Sequence, residues 1–146
     1  MDSNKIKIGF EIGGYLPSGD EGNIWENKGD YRQVLRELSL NGDNDMFIIT
    51  KNCDTQYVNN VAIYLGIKQE NIFMCADNTT ILSILDQYQI SIYLSNDEEL
   101  ILTGNTDTNK LATILVNFIP DANRLQGKWA TLLQFWLNRR LSDRKS

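Results

Sequence analysis

The sequence predicts an α/β fold, a three-layer sandwich built around a mostly parallel sheet. Two patterns carry this. Short runs rich in Ile, Val, Phe and Tyr recur at 6–12, 46–50, 90–94 and 111–119, with a weaker one at 71–75, at lengths suited to strands buried on both faces. Between them, apolar residues repeat at helical spacing, and strands alternating with helices at this interval form parallel sheets covered on both sides. The 146 residues contain no repeat, low-complexity segment or Pro/Gly-rich linker, so a single domain over 1–146 is expected.

Each element has its own local cause. The first strand runs into Gly13-Gly14, and the two prolines, Pro17 and Pro120, each follow an apolar run as punctuation. Asp30 starts a helix whose stripe is Tyr31, Val34, Leu35 and Leu38, and Asn41-Gly42 ends it. Asp54 starts the next, with Tyr57, Val58, Val61, Ala62 and Leu65 on one face and Gly66 as the stop. Asn78 precedes a third, carrying Ile81, Leu82, Ile84, Leu85 and Tyr88. A last helix, 125–141, presents Trp129, Leu132, Leu133, Trp136 and Leu137, and 142–146 is left as a flexible tail.

Composition removes several chemistries. With no His, there is no His-ligated zinc, no Ser-His-Asp or Cys-His pair and no histidine pH switch. A net charge of −5 argues against a general nucleic-acid surface, since affinity for phosphates comes from clustered Lys and Arg. Only the stretch from Arg139 to Lys145 is locally basic. Two cysteines, Cys53 and Cys75, are too few for a disulfide scaffold and read as buried small hydrophobes. The opening MDSNKIKIG lacks the apolar stretch of a signal peptide, and no run approaches the ~20 residues of a membrane span. The expected location is the cytoplasm, with no membrane contact.

In parallel α/β sheets, ligands sit beyond the carboxyl ends of the strands. Those ends read Gly9-Phe10-Glu11-Ile12-Gly13-Gly14-Tyr15-Leu16, then Phe47-Ile48-Ile49-Thr50-Lys51-Asn52, then Ile92-Tyr93-Leu94-Ser95-Asn96-Asp97-Glu98-Glu99. Taken in order over about residues 5–120, they resemble the haloacid dehalogenase (HAD) superfamily, in a degenerate form. F-E-I-G-G-Y-L aligns with that family's F-D-x-D-G-T-L, which sets Glu11 at the nucleophilic aspartate, Gly13 at the acid/base aspartate, Gly14 at the glycine and Tyr15 at the threonine.

What the resemblance implies follows residue by residue. The fold would be a HAD-like Rossmannoid sandwich, and 17–30 would be its flap, too short to form a cap domain. Thr50 would bind phosphate, together with Gly14 and Asn52. Asn96 and Asp97 would stand at the acidic metal pair, and Mg2+ would be held by Glu11, the Gly13 carbonyl and Asp97. The family's lysine would fall near Thr79 or Thr80, and neither is a Lys. Glu11 extends the carboxylate by one methylene, roughly 1.5 Å, where displacements near 1 Å can cost on the order of 10²-fold in rate. Gly13 supplies no proton for the leaving group.

Bland alternatives stand beside these roles. Asp97-Glu98-Glu99 at a strand-to-helix turn is also an N-terminal cap with first-turn acids. Thr50 is also a β-branched strand end, and Gly13-Gly14 also a tight turn. Cys53, beside Lys51, would need a helix N-terminus to become reactive, and no His base accompanies it.

The expected function is therefore a catalytically impaired HAD-like protein that binds or regulates through protein contact, without a cofactor. The alternative is a residual Mg2+-dependent phosphatase using Glu11, Thr50 and Asp97. A protein partner would meet Trp25 in the flap, or the final helix through Trp129, Trp136, Arg139 and Arg140; the plain counterparts are a Trp25 plug over the strand ends and a helix that closes the sheet.

Overall fold

In the computed structural model, the described residues are 5–12, 29–51, 54–95, 97, 99–100 and 113–117. Of the expected flap at 17–30, residues 17–28 lie outside them and 29–30 open the first helix, while the expected helix at 125–141 and tail at 142–146 lie wholly outside. The elements are β1 (Ile6–Phe10), α1 (Gly29–Leu40), β2 (Asn44–Lys51), α2 (Thr55–Leu65), a 3-10 turn (Gln69–Asn71), β3 (Ile72–Cys75), α3 (Asn78–Gln87), β4 (Ile92–Ser95) and β5 (Ile114–Asn117). The described strands form one five-stranded sheet in the order β3-β2-β1-β4-β5, and every pairing is parallel.

Alternation along the strands divides the core in two. Ile6, Ile8, Phe10 and Ile12 point to one face with Met46, Ile48, Ile92 and Leu94, where Val34, Leu35 and Leu38 of α1 and Val58, Val61, Ala62 and Leu65 of α2 cover them. Phe47, Ile49 and Tyr93 point to the other, against Ile81 and Leu85 of α3 with Ile90, Leu100 and Leu115. Sheet and helices thus make the three layers of a Rossmann-like α/β sandwich. Fully burying a Leu, Ile or Phe side chain is worth about 1.5–3 kcal/mol, so these two layers dominate stability.

The helix signals operate with small shifts. Asp54 caps α2 by accepting the Tyr57 N–H at 3.2 Å, and Gly66 ends it at φ 73°, where a Cβ would be strained. At α3 the cap is Asp77, one residue before the expected Asn78. Its Oδ1 takes the Thr80 N–H at 2.9 Å and the Thr80 hydroxyl at 2.8 Å. These bonds hold the Asp77 carboxyl below its ordinary value. Helix α1 begins at Gly29, so Asp30 lies inside the first turn. The run at 90–94 becomes a strand only from Ile92, because Gln89 turns the chain at φ 55° and the Ile90 N–H still bonds the Leu85 carbonyl, 3.0 Å away, at the end of α3. No helix among the described residues is long and apolar enough to cross a membrane.

Candidate functional site

Chain order fixes where a site can form. From β1 the chain steps outward to β2 and β3, then crosses to β4 and β5 on the other side. The strands β1 and β4 therefore flank the point where the winding reverses, and their carboxyl ends open a crevice. Glu11 stands at one lip and Ser95 at the other. The ladder extends to this point, since the Glu11 N–H bonds the Leu94 carbonyl at 3.0 Å.

Strand parity selects the residues that meet there. Glu11 lies two beyond Gly9, Ser95 two beyond Tyr93 and Lys51 two beyond Ile49, all on the α3 face of the sheet. Thr50, fully buried, falls on the opposite face with Ile48 and Ile12. The alternation of β2 thus separates Thr50 from Glu11, although sequence reasoning groups them in one site.

The side chains form one continuous network. The Ser95 hydroxyl donates to Glu11 Oε1 at 2.6 Å and accepts the Asp97 N–H at 3.0 Å. Asp97 Oδ1 accepts the Leu100 N–H at 3.1 Å, three residues on, which is the bond of an N-terminal cap. Its Oδ2 lies 3.0 Å from Lys51 Nζ. Lys51 also donates to the side-chain oxygen of Asn78, the first residue of α3.

The two carboxyl groups are driven in opposite directions. Burial pushes Glu11 above its ordinary value; the Ser95 bond and the Lys51 charge offset this only in part, and the Asp97 charge adds to it. Burial would also raise Asp97, but the Lys51 bond, the Leu100 N–H, the Lys51 charge and Asn78 together hold it below the usual carboxylate range. Neighbouring Cys75 is a free, buried thiol, pushed up to about 11 by burial and by the charges of Asp77 and Glu11.

Mg2+ requires several hard oxygens in near-octahedral array. Here one Asp97 oxygen holds an ammonium and the other caps a helix, while buried Glu11 accepts the Ser95 hydroxyl and has its pKa pushed up by burial. Among the described residues, no group of three or more His, Cys, Asp and Glu side chains is placed to hold a metal. Among the described residues, Glu11 and Asp97, engaged in this way, do not fit a resident Mg2+.

Of the residues singled out by sequence, Glu11 and Asp97 belong to this network and Thr50 lies behind it. Gly13, Gly14, Trp25, Asn52, Cys53, Asn96, Trp129, Trp136, Arg139 and Arg140 lie outside the described residues. Sequence reasoning missed Lys51, Ser95 and Asn78. It also treated the site as lacking a fixed positive charge, whereas Lys51 brings one from β2 instead of from the helix after β3. The available signal was parity: a Lys two residues beyond a buried Ile at a strand end emerges on the same face as Glu11.

The fold and this crevice define a parallel Rossmann-like α/β protein. No family model and no curated protein matches the chain. Among solved structures, it is similar to a Gfo/Idh/MocA family oxidoreductase from Vibrio cholerae, at 12% identity and a TM-score of 0.37. That similarity covers 87% of this chain and 44% of the oxidoreductase, so the chain spans less than half the length of that relative.

Proposed function

We propose that the chain is a degenerate, capless HAD-like domain that binds or regulates through a protein partner and does not turn over phosphate esters. The observation that carries this is the state of Glu11. A carboxylate that attacks phosphorus must be ionised and reachable. Glu11 is only 2% exposed, has its pKa pushed up by burial and has Oε1 engaged by Ser95. Gly13 adds no acid at the neighbouring position to protonate a leaving group.

Exposed apolar side chains on the helical layer favour a role in contact. Leu40 at the end of α1 and Ile63 and Tyr64 in α2 are open to solvent, and Arg36 ties the two helices by donating to the Tyr64 carbonyl at 2.6 Å. Partner contact through Trp25, or through Trp129, Trp136, Arg139 and Arg140, belongs to the same proposal.

The test is incubation with an aryl phosphate and Mg2+, beside a Glu11→Ala variant. No turnover is expected from either. Turnover that disappears in Glu11→Ala would overturn the proposal in favour of a phosphohydrolase. A captured partner whose binding is unaffected both by Trp25→Ala and by removal of residues 139–146 would remove the two proposed contact points.

A further inference from the structure

We propose that Asn41 is a self-modification site: in the exposed α1–β2 turn the backbone nitrogen of Gly42 attacks its side-chain amide, releases ammonia and leaves an aspartyl or isoaspartyl residue at position 41. The inference is separate from the reading of the crevice, since β2 begins beside this turn at Asn44 and reaches the crevice only at Lys51.

The sequence singles this pair out. Asn41-Gly42 is the only Asn-Gly step in the chain, and it lies between Leu40, which ends α1, and Asn44, which starts β2. The turn itself does not require a glycine here. Its φ lies outside the left-handed region, and a Cβ at Gly42 would meet nothing within 4 Å. What the missing side chain provides is unhindered approach of the Gly42 nitrogen to the preceding amide, on a backbone free to rotate toward it.

Hydrogen bonding in the turn places the reacting groups. Asn41 Oδ1 accepts the Asp43 N–H at 2.9 Å, which folds the side-chain amide back over the Gly42 peptide. Negative charge develops on that same oxygen when nitrogen adds to Cγ, so the donor that shapes the turn also stabilises the tetrahedral intermediate. The Asn41 N–H is held by the Leu38 carbonyl at 3.2 Å and the Asn44 N–H by the Asn41 carbonyl at 3.0 Å, whereas the Gly42 N–H has no partner among the described residues. Gly42 and Asp43 are exposed, so water reaches the turn.

The step balances with water as its co-reactant. The Gly42 nitrogen gives its proton to water and bonds to Cγ of Asn41, while the Cγ–Nδ2 bond breaks and Nδ2 leaves, reprotonated, as ammonia. Water then opens the cyclic imide. Cleavage at Cγ gives an aspartate, and cleavage at the former main-chain carbonyl gives an isoaspartate whose backbone runs through Cγ. Either product adds a negative charge beside Asp43 and Asp45. The isoaspartate also lengthens the main chain by a methylene and turns the carbonyl that holds Asn44 into a carboxylate. This happens where the Asp43 carbonyl accepts the Ile6 N–H at 2.9 Å, at the start of the β1/β2 ladder.

The experiment incubates the folded chain near neutral pH at physiological temperature and follows position 41 by peptide mass spectrometry, with isoaspartyl methyltransferase as the probe for the isoaspartyl product. Conversion is expected at Asn41 ahead of Asn59 and Asn60, which lie within α2, and no more slowly than in the same chain unfolded in guanidinium chloride. Gly42→Ala is expected to slow it at least about tenfold by crowding the attacking nitrogen, while leaving Tm unchanged. The converted protein is expected to unfold at a lower Tm than the unreacted one.

Conversion at Asn41 that is slower in the folded chain than in the unfolded one would overturn the proposal, because the turn would then protect the residue. So would equal rates in wild type and in a Gly42→Ala protein that folds, by circular dichroism. The comparison of folded with unfolded wild type needs no variant and decides the matter if Gly42→Ala does not fold.

Discussion

The Ser95 hydroxyl reaches across the β1/β4 crevice to Glu11 Oε1 at 2.6 Å, tying a carboxyl that is only 2% exposed to the one strand end level with it. The bond satisfies the buried oxygen without supplying a charge, which is why burial still raises the Glu11 pKa from its ordinary 4.5. A carboxyl raised in the folded state contributes stability that is fully present below its unfolded value and is lost as pH rises through the folded one.

Glu11→Gln should therefore behave as the neutral form at every pH, because its amide oxygen can still accept from Ser95. The variant is expected to be more stable than wild type near neutral pH, with the difference closing as pH falls toward 4.5. Denaturant unfolding of both proteins across this range measures it. Two curves that stay parallel would mean that Glu11 ionises as freely in the fold as in the unfolded chain.

Beneath the crevice, Tyr93 lies across β1 and its hydroxyl donates to the Ile49 carbonyl of β2 at 2.5 Å. The crossing needs the space above Gly9, the residue paired with Tyr93 in the ladder. A Cβ at Gly9 would come within 3.1 Å of both the Tyr93 ring and Ile49 Cδ1, and within 3.3 Å of Ile90. Gly9→Ala is expected to cost about 1–3 kcal/mol through overpacking, despite the gain in chain stiffness. Tyr93→Phe, which removes only the hydroxyl, should cost about 0.5–1.5 kcal/mol. Urea midpoints give both, and a Gly9→Ala protein as stable as wild type would show that the ring does not need this gap.

The third prediction concerns Cys75. With its thiol pushed up to about 11, only about one molecule in a thousand carries the thiolate at pH 8, and the sulfur is buried. In a Cys53→Ser background, where Cys75 is the remaining thiol, labelling by an aromatic disulfide should be slow in the native protein and fast in denaturant. Rapid native labelling would place the sulfur within solvent reach.

The elements were largely legible in the sequence because their causes are local. The apolar stripe of Val58, Val61, Ala62 and Leu65, the Asp54 cap and the Gly66 stop lie within thirteen residues and correspond to α2 and its two ends. At α3 the same logic placed the start one residue late, since Asp77 and Asn78 both suit a cap and only backbone direction chooses Asp77. The candidate site was legible in part. Glu11 and Asp97 stand out as acids at strand ends, whereas Ser95 and Asn78 are residue types with no signal of their own, and Lys51 acquires its role from a partner 46 positions away.

Thr50 shows most plainly why local pattern stops short of the site. It follows an apolar run as a phosphate-binding hydroxyl would, yet one residue of alternation turns it to the face opposite Glu11, and Lys51 takes the position on the near face. By itself, the sequence determined the alternation of strands and helices, most of their ends, the absence of histidine chemistry and the presence of an acid after β1, since each depends on neighbours in the chain. Tertiary structure alone decided that β1 lies between β2 and β4, and so that Glu11, Ser95, Asp97, Lys51 and Asn78 share one network. Strand order and facing direction arise from burying both sheet faces at once, and no single segment encodes them.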